Sequence, residues 1–232
     1  AETLEEGPSV AAMGEWARQF GIVLVGGSIT ERREGHAKLA NTSLVLDRDG
    51  ATLAVYRKIH LFDVDVDGLR YRESDTDEAG VEHRVVDAAG CRLGLSICYD
   101  LRFPELYRIL ALEGAQLVTV PAAFTVHTGR DHWEILLRAR AIENQFFVAA
   151  AGQWGNGMPG KPTFGRSMIC DPWGTVLAQA PDEDTVISAE IDLGRLERIR
   201  RNVPSLKNRR PGAYRWPDSE LSARSTDASH LP

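Results

Sequence analysis

Cysteine is scarce in this 232-residue sequence: Cys91, Cys98 and Cys170 are the only three. Three scattered thiols cannot build a disulfide framework, and none forms a Cys-x-x-Cys pair for zinc or dithiol chemistry. Long apolar runs are missing as well, since no stretch approaches the roughly 18 residues that a membrane-spanning helix needs. The opening AETLEEGPSV has neither the basic start nor the apolar stretch of an export signal. A cytoplasmic location is the expectation. A basic excess is also lacking: 27 Lys and Arg face 33 Asp and Glu, a formal charge of −6. That balance argues against nucleic acid or an anionic membrane as partner, and the locally basic segment Arg198 to Arg210 reads as a solvated helix and tail. What the chain does have is 43% hydrophobic residues, enough for a real core.

Periodicity supplies the elements. Val10, Met13, Trp16, Ala17 and Phe20 recur at helical spacing with Gly21 as the stop. The run from Ile22 to Val25 reads as a strand buried on both faces. Asn41 to Leu46, the turn Asp47-Arg48-Asp49-Gly50 and Thr52 to Tyr56 form a hairpin by their turn chemistry. A second pairing follows over Arg84 to Asp87 and Cys91 to Ile97. Pro104 then opens a helix that Gly114 ends, Leu117 to Val120 is a strand, Asp131 caps a helix reaching Asn144, and Phe146 to Ala151 is a strand. Five glycines and two prolines between Gly152 and Gly165 predict a loop. Strands are expected at Met168 to Cys170, Thr175 to Ala178 and Val186 to Ile191, before a last helix over Leu193 to Arg201. Strands in hairpins alternating with single helices predict a mixed sheet layered with helices in one domain.

The local signal for chemistry is Gly94-Leu95-Ser96-Ile97-Cys98-Tyr99-Asp100-Leu101-Arg102-Phe103-Pro104-Glu105. A buried strand stops at a cysteine and a helix starts a few residues later. Such an elbow exposes the side chain at the sheet's end, where free backbone N–H groups can lower a thiol pKa and bind an oxyanion. Cysteine is also among the most often buried residue types, so a nucleophile and a small core residue both remain open. Lys58, just past a strand, could favour the thiolate; alone it reads as a surface charge. Nothing in the spacing aims His60 at Cys98, and it reads as a structural histidine. His36, His83, His127 and His230 have no metal-ligand spacing, so no metal is expected.

Taken together, Tyr56-Arg57-Lys58-Ile59-His60-Leu61-Phe62-Asp63, the Cys98 elbow, Thr128-Gly129-Arg130-Asp131-His132-Trp133, Arg138-Ala139-Arg140-Ala141-Ile142-Glu143-Asn144, Asp171-Pro172-Trp173-Gly174 and Arg209-Arg210-Pro211 resemble the nitrilase superfamily of carbon–nitrogen hydrolases. The similarity is greatest to its Nit1/Nit2 amidase branch. The resemblance implies an α/β fold, a four-layer αββα sandwich, over residues 1–214, with 215–232 a polar tail lacking regular structure. It implies a Glu-Lys-Cys triad in which Cys98 matches the nucleophile and Lys58 the lysine, with Glu73 matching a second glutamate near the site. By the same resemblance the Tyr99 backbone N–H is an oxyanion donor, Phe124, Thr125 and His132 line the substrate pocket, and no cofactor is needed. A homodimer is implied through the helices Glu105–Glu113 and Asp131–Asn144. Arg130 or Arg166 could bind a substrate carboxylate; either also reads as a surface charge.

One departure stands out. The family's catalytic base lies in a Pro-Glu motif after a first strand and helix, and these 232 residues hold no counterpart; Pro104-Glu105 follows the cysteine instead. The expectation is a domain incomplete at its N-terminal side, nearly inactive if taken literally. The implied reaction is hydrolysis of a small carboxylic amide through a thioester with release of ammonia, on deaminated glutathione or an ω-amide of an α-keto acid. The alternatives are a catalytically defective binding or scaffold protein of the same fold, and an N-carbamoyl amidohydrolase.

Overall fold

The computed structural model describes residues 1–66, 68–158 and 161–214; the tail 215–232 lies outside them. Helix α1 (Pro8–Phe20) starts with proline at its first turn and ends at Gly21, whose φ of +61° sends the Gly21 and Ile22 N–H groups back to Arg18 and Ala17 carbonyls. Committing Ile22 to that cap shortens the strand expected there. Strand β1 is only Leu24–Val25, and it is half-buried rather than enclosed on both faces.

Strands β2 (Ile29–Glu31), β3 (Ala40–Leu46) and β4 (Thr52–Arg57) complete the small sheet. β3 pairs antiparallel with β1 and β2 at its opposite ends and with β4 along its length. The β3–β4 turn is the predicted one: Asp47 Oδ1 accepts from the N–H groups of Asp49 and Ala51 at 2.9 and 2.8 Å, and Gly50 takes φ +77°. A hairpin of β5 (Asp63–Val66) and β6 (Leu69–Arg72) follows.

The larger sheet contains β7 (Val85–Ala88), β8 (Cys91–Leu95), β9 (Leu117–Thr119), β10 (Phe147–Ala150), β13 (Met168–Cys170) and β14 (Val176–Gln179), in the order β14-β13-β10-β9-β8-β7. β8, β9 and β10 are parallel, with α2 (Pro104–Leu112) and α3 (Val126–Asn144) as the crossovers. Alternation along β3 explains the layering. Leu44 and Leu46 pack against Met13 and Ala17 of α1, whereas Val45 points the other way, to Tyr56, Leu93, Leu95 and Ile97 between the sheets. On the far face of the larger sheet, Val118, Val120 and Val148 pack beneath Leu106, Leu110, Trp133 and Leu137 of α2 and α3. Helix, sheet, sheet and helices therefore enclose three cores, giving the α/β αββα sandwich that the resemblance implied.

Four further expectations need correction. α3 begins at Val126, not after Asp131: Thr125 is the N-cap, its hydroxyl accepting the Thr128 N–H at 3.3 Å, and Asp131 lies within the helix. The glycine-rich segment after Gly152 is not simply a loop, because β11 (Trp154–Met158) and β12 (Lys161–Phe164) pair across it. Tertiary context overrides propensity there. Phe164 donates its N–H to Phe124 O at 2.9 Å, and its ring lies so close to α3 that a Cβ added at Gly129 would fall 2.4 Å from it.

Val186 to Ile191 forms no strand; Val186 is 92% exposed, and an apolar cavity of about 350 Å³ lies among Val186, Ile187, Val25 and Ala150 where pairing would require a neighbour. The basic segment after Arg198 is not merely solvated. Arg200 of α4 (Leu193–Asn202) is half-buried and donates to Gln145 O at 2.9 Å and Ala115 O at 2.7 Å. Those carbonyls lie just past the C-terminal ends of α3 and α2, where a cation complements the helix dipole. Among the described residues, no helix is long and apolar enough to cross a membrane.

Candidate active site

The elbow is built by strand termination. Past Leu95 the chain stays extended through Ser96, whose hydroxyl is 2.8 Å from both Tyr107 Oη and Thr119 O, and through buried Ile97. Cys98 then takes φ +49°, a left-handed conformation that a residue with a Cβ rarely adopts, and its N–H donates to Pro121 O at 2.9 Å. The 3₁₀ turn Cys98–Arg102 follows. Its far end is fixed from α3, where buried Arg140 donates Nε and Nη2 to Leu101 O at 3.0 and 2.8 Å. The Tyr99 N–H belongs to the first turn, whose donors have no partner within the helix.

Lys58 arrives from the other sheet. It lies one residue past β4, its N–H donating to Asn41 O at 2.9 Å and its carbonyl accepting from Gly80 N–H at 2.8 Å. At 3% exposure it is not a surface charge. A buried ammonium needs a partner, and Nζ donates to the Glu73 carboxylate. Glu73 opens the 3₁₀ turn Glu73–Asp75 and also accepts from Phe62 N–H at 2.6 Å and Asn41 Nδ2 at 3.1 Å.

One cavity of about 760 Å³ brings Cys98, Lys58, Glu73, Tyr99, Phe124 and Thr125 together. His132 is not among its lining residues; its Nδ1 instead meets Arg102 Nη1 at 3.3 Å. Burial pushes the Cys98 thiol pKa up, and the Glu73 and Asp100 carboxylates act in the same direction; the Lys58 charge and the Ala123 N–H oppose them. Of the other thiols, Cys91 has no opposing charge, and the Arg138 charge offsets only part of the burial at Cys170. Cys170 is fully buried in the core and pushed up to about 12, and burial raises Cys91 as well.

The chemistry of this cavity has close parallels in known proteins. Residues 1–201 match the model of the carbon-nitrogen hydrolase family. The chain belongs to that family. It is 46% identical over 209 residues to Omega-amidase NIT2-A of Xenopus laevis, covering 90% of this chain and 75% of that protein. It is 43% identical to the deaminated glutathione amidase of Yersinia enterocolitica, covering 90% and 74%. It also resembles, with TM-score 0.71 and 30% identity over 88% of this chain and 72% of the other, a mutant of an amidase from Nesterenkonia that shows Michael addition of acrylamide at the active site cysteine.

Sequence reasoning overlooked two groups in this hydrolase. Arg102 lines the cavity, its guanidinium 5.4 Å from the Phe124 ring centroid and 5.9 Å from that of Tyr99, and no carboxylate among the described residues pairs with it. Its place four residues after Cys98, at the end of the turn, was the available signal. Asp100, within the same run, is fully buried and accepts hydrogen bonds from three residues. Arg130 and Arg166, the carboxylate receptors considered from sequence, line a different cavity, and Arg166 is paired with Asp182 at 2.7 Å.

Proposed function

We propose that this carbon–nitrogen hydrolase cleaves a small carboxylic amide that also carries a carboxylate, through a Cys98 thioester, releasing ammonia. The observation that carries the reading is the convergence of the Cys98 thiol, the buried Lys58 ammonium and the Glu73 carboxylate on one cavity. Cys98 Sγ bonds to the amide carbon while the oxyanion accepts hydrogen bonds from Tyr99 N–H and Lys58. The C–N bond then breaks, the thiol's proton ending on the departing nitrogen with Glu73 assisting its transfer. Water next attacks the thioester, giving the carboxylic acid and restoring the thiol. The names of the frog and Yersinia relatives support an ω-amide of an α-keto acid or deaminated glutathione as substrate. Covalent addition at the cysteine of the Nesterenkonia relative supports Cys98 as the nucleophile.

Arg102 supplies the specificity in this reading, as a partly desolvated guanidinium whose pKa burial lowers and with which no carboxylate pairs among the described residues. A charge-assisted hydrogen bond at such a site is worth about 1.5–3 kcal/mol. Arg102→Gln should therefore raise KM for carboxylate-bearing ω-amides about 10- to 100-fold while leaving neutral aliphatic amides nearly unaffected. Ammonia release from both amide types tests this directly. Equal effects on the two would assign Arg102 to packing, and carbon dioxide released along with ammonia would favour a carbamoyl substrate.

The same proposal includes a homodimer formed through α2 and α3, which expose Ile109, Leu112, Ile135 and Ile142. Light scattering should give twice the chain mass, and Ile135→Glu should convert the dimer to monomer. A parent protein that scatters as a monomer would end that part of the reading.

A further inference from the structure

Lys58 and Cys98 come from different sheets. Lys58 directly follows β4 of the small sheet, and Cys98 follows β8 of the larger one. What packs between the sheets is mostly apolar: Val45, Leu93, Leu95 and Ile97 with the ring of Tyr56. Apolar burial is non-directional, so it holds two layers together without fixing where one side chain stands against another.

A directional device does cross that gap. Asp100 is fully buried, and both carboxylate oxygens are occupied. Oδ2 accepts from Tyr56 Oη at 2.7 Å and from Ile97 N–H at 2.8 Å. Oδ1 accepts from His60 N–H at 3.1 Å and lies 2.7 Å from His60 Nδ1. Tyr56 and His60 flank Lys58 by two residues on either side, and Ile97 immediately precedes Cys98. The His60 ring also stacks on Phe103, centroids 3.6 Å apart and planes within 6°. Burial and the Asp100 carboxylate drive the Tyr56 phenol far above its ordinary pKa, so it remains a donor.

We infer that Asp100 is a positioning residue that holds the Lys58 ammonium in register with the Cys98 thiol by bonding the chain on both sides of Lys58 to the elbow. The inference rests on the reading of Cys98 as nucleophile. Displacements of about 1 Å at a reacting pair can cost 100-fold in rate, and buried networks of satisfied donors supply the rigidity that prevents them.

The test uses the thiol rather than the substrate. Peptide-resolved mass spectrometry follows iodoacetamide alkylation of Cys98 and Cys91 in the full chain at neutral pH, with thermal unfolding measured in parallel. Tyr56→Phe removes one donor, His60→Phe removes another while keeping the ring stack, and Asp100→Asn removes the charge at constant shape. Each should slow Cys98 alkylation roughly tenfold or more relative to Cys91. The Asn variant is the sharpest, because the Asp100 charge itself raises the thiol pKa. If Asp100 were only a nearby charge, Asp100→Asn would speed alkylation; as a clamp its loss slows it. Faster or unchanged Cys98 labelling in all three variants, with only the unfolding temperature lowered, would overturn the inference. A parent Cys98 that reacts no faster than Cys91 would instead overturn the nucleophile reading and this one with it.

Discussion

Cys98→Ala should abolish ammonia release in protein that carries the family's Pro-Glu base, lowering turnover by at least about four orders of magnitude while the fold persists. The magnitude follows from covalent catalysis: a nucleophile and its partners act as a unit, so its removal forfeits nearly the whole chemical advantage. Alanine matches the small, partly buried site, so circular dichroism and thermal unfolding should stay close to the parent. Alkylation should identify the same residue, since Cys170 is enclosed in the core and Cys91 has no cation to favour its thiolate. Residual turnover within tenfold of the parent would show that another group forms the intermediate.

Lys58→Met should damage both stability and reactivity, and the two effects can be separated. Stability falls because Glu73, with a side chain only 17% exposed, loses its cation. Removing one partner of a buried ion pair typically costs about 3–5 kcal/mol. Reactivity falls because the Lys58 charge offsets part of the rise that burial imposes on the thiol pKa, so its loss moves the pKa further up and leaves less thiolate at neutral pH. The double variant Lys58→Met, Glu73→Gln removes both charges at similar volume. Urea unfolding should recover most of the lost stability, whereas Cys98 alkylation should stay slow. Recovery of both in the double variant would mean that Lys58 acts on the thiol only by keeping Glu73 in place.

The local patterns that located the site were those in which chain order and physical cause coincide. The cysteine at a strand end was legible because β8 is apolar and ends abruptly before Pro104 starts a helix. The hairpin at Asp47–Gly50 was legible because its turn residues bond their own backbone. Lys58 was another matter: its flanking residues say nothing of Glu73, fifteen positions on, and burial decides its role. Arg102 and Asp100 were present in the same run as Cys98 and were passed over, because pairing across two sheets is invisible to spacing. The segment before Phe164 misled for the opposite reason. Its glycines and prolines argue for a loop, and the packing of Phe164 on Gly129 is a contact over 35 positions that no local rule anticipates.

The left-handed backbone at Cys98 bears on how this protein evolves. A residue with a Cβ at that φ costs roughly 1–2 kcal/mol, and glycine would relieve it. On the proposed mechanism, folding and chemistry thus pull this position in opposite directions. A descendant freed from catalysis would relieve that backbone cost by exchanging the thiol for glycine, a single step that gives up only the contacts of one small side chain with the two cores it borders. Drift in the absence of selection should therefore erase this residue early, before the core records any change. If the proposed reaction is what holds cysteine there, this one position should date the loss of activity among relatives better than the identity of the whole chain.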